Sequence, residues 1–198
     1  MNELRKKLAT LIIPITKLIG IIKMPFVSKS NVFEKYFEIK NTLKPGDTIL
    51  TLSRGHLSNI FNRLVNPGEY MHTAIYVGME DEIPMVIDAT GVGVNKRHLP
   101  LFLSDKDKIC IVRPLEGTIT EDQIKISLKW LENQIGKPYD YTFNLGEEKF
   151  YCSELNYFFY KVGNPDLPFV RKYKGKDPKP NDFRNAKNFF YICFEIID

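Results

Sequence analysis

Cys152 opens a helical pattern instead of sitting inside one. In the stretch Lys149-Phe150-Tyr151-Cys152-Ser153-Glu154-Leu155-Asn156-Tyr157-Phe158-Phe159-Tyr160, apolar residues run from Leu155 through Phe158, Phe159 and Val162. That is the three-and-four spacing of a helix packed on a core, with Gly163 as its expected C-terminal cap. The thiol is then at or near the helix N-terminus, where unpaired N–H groups and the positive end of the helix dipole favour the thiolate. The chemistry this offers is nucleophilic attack. It requires a base within hydrogen-bond reach and, usually, a third group that orients the base.

Three histidines could serve as base. His98 lies in Lys96-Arg97-His98-Leu99-Pro100, read as a basic loop that would position a proton acceptor poorly. His56 follows Gly55 at the start of a short helix and could line a cleft. His72 heads the strand His72-Thr73-Ala74-Ile75-Tyr76-Val77-Gly78, and a rigid strand suits a base that must be placed accurately; a purely structural histidine also fits that position. Asp88 interrupts the apolar strand Met85-Val86-Ile87-Asp88-Ala89, so its carboxylate is either buried with a partner or turned outward. In a hairpin with the His72 strand, the imidazole comes within its reach.

The elements that must hold these residues can be read in outline. Asn31 to Lys40 suggests a short helix, and the turn Leu43-Lys44-Pro45-Gly46-Asp47 leads into a strand at Thr48 to Leu52. A short helix is expected from Leu57 to Leu64, ended by Asn66-Pro67-Gly68. Strands at Met71 to Val77 and Met85 to Ala89 flank an acidic turn at Gly78 to Glu82 and pair as a hairpin; Lys108 to Val112 is a further strand. Thr120-Glu121-Asp122-Gln123 is a capping box, and Ile124, Leu128, Leu131 and Ile135 give its helix one apolar face before Gly136-Lys137-Pro138 stops it. A Pro- and Lys-rich loop then runs from Gly163 to a last strand at Phe189 to Ile197. The fold class is α+β, divided into an N-terminal helical extension over residues 1–40 and a catalytic domain over 41–198.

Composition narrows the function classes. Hydrophobic residues make up 43% and aromatic residues 13% of the 198, which describes a folded chain with a substantial core. The net charge of +4 is spread without a basic run interleaved with aromatics, so no nucleic-acid partner is expected. Cysteines at 110, 152 and 193 form no paired framework and no C-x-x-C, which argues for a reducing compartment and against a zinc site. Cys110 and Cys193 sit in apolar strands as small hydrophobes. Leu4, Leu8, Leu11, Ile12, Ile15, Leu18, Ile19 and Ile22 form a helical stripe with Lys7 and Lys17 off it, bent at Pro14. Lys17 and the lack of a small-residue cleavage site argue against a signal peptide, and the apolar run is too short for a span. The Leu4–Ile22 helix is expected either to dock on protein, its own core or a partner, or to lie on a membrane surface. The expected location is cytoplasmic or peripheral to a membrane.

Gly46-Asp47-Thr48-Ile49-Leu50, His72-Thr73-Ala74-Ile75-Tyr76-Val77-Gly78 and Val86-Ile87-Asp88-Ala89 resemble elements of NlpC-type papain-like cysteine peptidases. The usual member of that superfamily places the cysteine helix first. Here it comes last, which resembles the circularly permuted branch, the YiiX-like proteins related to lecithin:retinol acyltransferase. Gly136-Lys137-Pro138-Tyr139-Asp140-Tyr141 followed by Tyr151-Cys152-Ser153-Glu154-Leu155 is similar to that group's signature, and Pro180-Asn181-Asp182-Phe183 extends the likeness. The resemblance implies a permuted papain-like fold, an antiparallel sheet or half-barrel packed against the helix that carries the nucleophile. It implies Cys152 as nucleophile, His72 as base and Asp88 as third residue, with no cofactor and no metal. Relatives more often carry His or Glu at the third place, Gly where Ala74 stands and a small residue at Met71.

The implied reaction passes through an acyl-enzyme, with the Cys152 N–H as oxyanion donor and a side chain from Tyr139 to Tyr141 as a second. Three substrate readings follow. One is an amidase or peptidase acting on a peptide, isopeptide or N-acyl bond, with Tyr139, Tyr141, Tyr151, His56, Arg54 and Glu69 as candidate substrate-binding residues. Another is a lipid acyl hydrolase or acyltransferase at a membrane surface, which calls for an apolar channel beside Cys152. The third is a non-catalytic binding or assembly module on the same fold.

Overall fold

The computed structural model describes residues 31–53 and 68–197. Expectations that fall elsewhere, including the Leu4–Ile22 stripe, the Leu57–Leu64 helix, Arg54 and His56, lie outside the described residues. Six antiparallel strands form one sheet in the order β4-β3-β2-β1-β5-β6. They are β1 (Thr48–Ser53), β2 (His72–Glu80), β3 (Ile83–Thr90), β4 (Gly93–His98), β5 (Lys106–Pro114) and β6 (Phe190–Ile196). The strands precede the cysteine helix in the chain, β6 excepted, and the α+β architecture is as expected.

Both faces of the sheet are covered, so the central strands carry apolar residues on both sides and read as near-continuous hydrophobic runs. One face, with Leu50, Ile75, Ile87, Ala89, Cys110 and Val112, packs on α5 (Cys152–Gly163). The opposite face, with Ile49, Ala74, Tyr76, Val86, Ile109 and Ile111, is covered by Val32, Ile39, Leu99, Phe102 and Leu103. Those residues come from α1 (Asn31–Glu34), α2 (Tyr36–Thr42) and α3 (Leu99–Leu103). The expected Asn31–Lys40 helix is thus two short ones.

Helix α4 (Glu121–Glu132) starts at the Thr120 capping box, the Gln123 N–H donating to Thr120 Oγ1 and the Thr120 N–H to Gln123 Oε1. It ends before Ile135, which is exposed and not part of the apolar face. Gly163 closes α5, but the cap position is Asn164 in extended backbone. A Cβ on Gly163 would stand 2.4 Å from Ser127 Oγ and 2.9 Å from the Gln123 carbonyl oxygen, so the glycine is there for the close approach of α4 to α5.

The segment read as loop after Gly163 contains α6 (Pro168–Lys172) and α7 (Pro180–Asn185), each started by a proline in its first turn. The β2–β3 hairpin turns at Asp81 and Glu82, both in the left-handed region. Gly78 sits inside β2 where the register shifts. Lys96-Arg97-His98, read as a basic loop, is the end of β4. Polar residues run consecutively there because the strand is at the sheet edge, and edge strands commonly carry charge.

Candidate active site

Cys152 is the first residue of α5 and only 6% exposed. Its side chain faces the sheet at the start of β2, where Thr73 meets it with both backbone N–H and hydroxyl. The Thr73 hydroxyl is also 3.2 Å from Asn156 Oδ1, one turn further along α5, and Asn156 Nδ2 donates to Thr48 Oγ1 at 3.0 Å. This buried polar chain fixes the cysteine helix against β1 and β2.

His72 is the first residue of β2, and by strand alternation it belongs to the face away from α5. Placed at the strand end, its ring reaches both sides. Nε2 is 2.6 Å from Asp88 Oδ2, and the imidazole is hydrogen-bonded to the Cys152 thiol as well. With Nε2 on the carboxylate, Nδ1 is the nitrogen left for sulfur. Asp88 is completely buried. It shares its face with Val86, and that face is a core of its own, so the outward alternative is excluded. Arg97 on β4 donates from Nε to Asp88 Oδ1 at 3.1 Å and from its terminal nitrogen to Oδ2.

The electrostatics follow from these contacts. Burial alone would depress the His72 imidazolium, but the hydrogen bonds and charges of Asp88 and Cys152 together outweigh it and push the group up to about 9. Burial likewise disfavours the Cys152 thiolate, yet His72 and the Thr73 donors bring the thiol below its ordinary range. Asp88 is held below the usual carboxylate range against the cost of its burial by His72 and Arg97. Both shifts favour passage of the Cys152 proton to His72.

The tyrosines divide by environment. Tyr139 precedes the Cys152 loop, and burial, with the charge of Cys152 acting in the same direction, raises its phenol well above the ordinary range. Tyr141 stacks edge-on to Tyr139 with centroids 4.9 Å apart, but its hydroxyl is spent on the Gly91 carbonyl at 2.7 Å. Tyr151 is buried beside Phe143, and its hydroxyl has no hydrogen-bond partner among the described residues. Glu69 is exposed, 3.6 Å from Arg184, with its backbone N–H donating to Asn181 Oδ1. Its side chain pairs on the β6 side, since Arg184 also binds Glu195 at 2.5 Å.

Sequence reasoning did not single out Arg97, Thr73, Asn156 or Glu154. Glu154 is fully buried, accepting from the Gly146 N–H at 2.7 Å and from the Tyr151 N–H at 3.2 Å, which ties the loop before α5 to the helix start. The Glu three residues after Tyr151 was a readable signal, the second half of a capping box. A cleft of about 810 Å³ lies along Tyr157, Phe158 and Lys161, opposite Leu145, Val170 and Lys174. It follows the α5 face of Glu154, not that of Cys152 and Asn156. Among the described residues no group of three or more His, Cys, Asp or Glu side chains is arranged to hold a metal ion, and no helix is long and apolar enough to cross a membrane.

Residues 42–186 match the family model described as permuted papain-like amidase enzyme, YaeF/YiiX, C92 family. The uncharacterised protein YiiX of Escherichia coli (strain K12) is 30% identical over 111 residues, 56% of this chain and 54% of that protein. The chain thus matches about half the length of that curated relative. A crystal structure of metalloprotein YiiX from Escherichia coli O157:H7 superposes with a TM-score of 0.60 at 22% identity, covering 79% of this chain and 98% of the other, a likeness of fold.

Proposed function

We propose a reaction from one premise: the chain belongs to the permuted papain-like amidase family. The family supports a hydrolase; the finer reading is a cysteine hydrolase of an amide bond in a peptide, isopeptide or N-acyl substrate. The observation that carries it is the single imidazole of His72 shared between the Cys152 thiol and the buried Asp88 carboxylate.

His72 takes the proton of Cys152, and the thiolate adds to the substrate carbonyl carbon as the C=O pair moves to oxygen. The first N–H groups of a helix have no partner within it, so the Cys152 N–H is free to donate to that oxyanion. The Tyr139 hydroxyl is the second donor, because the neighbouring Tyr141 hydroxyl is committed to Gly91. As the intermediate collapses, the C–N bond breaks and the imidazolium delivers its proton to the amine. A thioester remains on Cys152. Water, deprotonated by His72, attacks that thioester and the thiolate leaves, restoring the starting site. Asp88 holds the ring's orientation and its charge throughout.

The neighbour's description as a metalloprotein is not carried into this reaction. Asp88 already accepts from His72 and Arg97, the His72 ring is hydrogen-bonded to Asp88 and Cys152, and among the described residues no group of three or more His, Cys, Asp or Glu side chains is arranged to hold a metal ion.

The test is covalent labelling of the full chain with activated peptidyl and fatty-acyl probes, mapped by mass spectrometry. The expected result is a single acyl adduct on Cys152, lost in Cys152→Ala and in His72→Ala. An adduct that persists in Cys152→Ala sinks the reading. Preference for the fatty-acyl probe moves the substrate to a lipid acyl group with the same residues in the same roles.

A further inference from the structure

Asp88 is gripped from two sides by symmetric geometry. In the β2–β3 register Asp88 faces Ala74, so His72 is its diagonal neighbour; in the β3–β4 register Val86 faces Arg97, so Arg97 is the diagonal neighbour from the other strand. Diagonal pairs on one sheet face lie within reach of long side chains. Both reach the same carboxylate, Arg97 through two nitrogens onto two oxygens.

The guanidinium is fixed on its far side as well. It lies over the Phe102 ring at 5.2 Å, and the same ring carries the Lys106 ammonium at 5.0 Å and stands 6.2 Å from the His72 ring. The charged groups around Asp88 are therefore His72 from β2, Arg97 from β4 and, at longer range, Lys106 from β5, with Cys152 behind His72.

A buried carboxylate facing one imidazole would draw its proton strongly and hold it. Sharing that charge with a fixed guanidinium weakens the pull, and the two-point fork fixes the carboxylate plane. We infer that Arg97 is a positioning residue of the catalytic unit, locking Asp88 as an oriented anion and sharing its charge so that His72 releases its proton to the leaving group. This rests on the Cys152–His72–Asp88 reading given above.

The experiment measures the rate of iodoacetamide alkylation of Cys152 across pH in the full chain, which needs no natural substrate. The parent protein is expected to alkylate below the ordinary thiol range and to show an upper step as His72 loses its proton. If it shows no such low-pH reaction, or if His72→Ala leaves it intact, the triad reading itself fails. With that reading in place, Arg97→Met is expected to move the upper step upward by roughly one pH unit, the lower end of the effect of a close charge. In the Asp88→Asn background the same substitution is expected to leave the step almost unmoved. Arg97→Gln, which keeps a hydrogen-bonding head without the charge, carries the test should Arg97→Met fail to fold, and is expected to shift the step in the same direction. An upper step at the parent position in the folded Arg97 variants, or an undiminished shift without Asp88, overturns the inference and leaves the triad standing.

Discussion

His72 and Asp88 are diagonal, not directly opposed, across the β2–β3 pair: the register partner of Asp88 is Ala74, yet His72 Nε2 is 2.6 Å from the carboxylate. The offset has a mechanical consequence. It leaves the imidazole reaching along the sheet from the first residue of β2 to the carboxylate, with its other edge hydrogen-bonded to Cys152 from the opposite face. A directly opposed pair two residues further along would have buried the ring in the second core, out of reach of the thiol.

The first prediction concerns this contact. The imidazolium is pushed up to about 9, and Cys152 is brought below its usual range, so turnover is expected to rise as Cys152 ionises and fall as pH passes through about 9. Asp88→Asn removes an anion from His72, lowers the imidazolium value and moves the alkaline limb toward neutrality while leaving activity measurable. A pH profile of an acyl-probe reaction checks it; an alkaline limb that stays in place separates Asp88 from the base.

The residues of this unit differ in how legible they were. Cys152 stood out because a helix start gives a thiol a reason to be there, and His72 because a strand holds it rigidly. Asp88 was ambiguous on alternation alone, since a sheet covered on both faces erases the pattern that tells inward from outward. Arg97 was missed because three polar residues on an edge strand look like a loop. Thr73 and Asn156 are isolated polar residues in apolar runs, and only packing of α5 on the sheet pairs them. The capped α4 and the β2–β3 hairpin were readable because their signals are local; the role of Gly163 was not, because its neighbour is Ser127, distant in sequence.

The two tyrosines before the cysteine loop are expected to separate. Tyr139 feels the charge of Cys152, while the Tyr141 hydroxyl is bound to Gly91. Tyr139→Phe is expected to lower the acylation rate by about 10²-fold, the scale of one lost oxyanion donor, with little change in probe binding. Tyr141→Phe should cost a hydrogen bond's worth of stability, about 1 kcal/mol, and leave the rate nearly intact. Single-turnover acylation measured on both variants decides, and equal rates in the two would remove Tyr139 from the oxyanion site.

Gly163→Ala is expected to destabilise the fold by about 1–3 kcal/mol, the usual cost of overpacking. The methyl group would meet Ser127 Oγ and, behind it, the fixed Gln123 carbonyl. Urea titration measures the loss. Pairing the change with Ser127→Ala should recover only part of it, since the backbone carbonyl remains; full recovery would place the whole clash on the serine.

Glu154 is one group through which stability depends on pH. Burial pushes its carboxyl up to about 8 despite two N–H donors, against an ordinary value of 4.5. An acid whose folded-state value is raised binds its proton more tightly when folded. Its contribution is therefore fully favourable below about 4.5 and is lost as pH rises toward about 8. Glu154→Gln removes the titration but offers one carbonyl oxygen to two donors, Gly146 N–H and Tyr151 N–H. The variant is expected to be less stable than the parent in acid, and the gap should narrow steadily as pH rises through that window. Urea midpoints of the two proteins at about pH 5 and about pH 8 test the sign: a gap that stays constant means Glu154 does not titrate there, and one that widens means the carboxylate is stabilised by its two donors more than burial costs it.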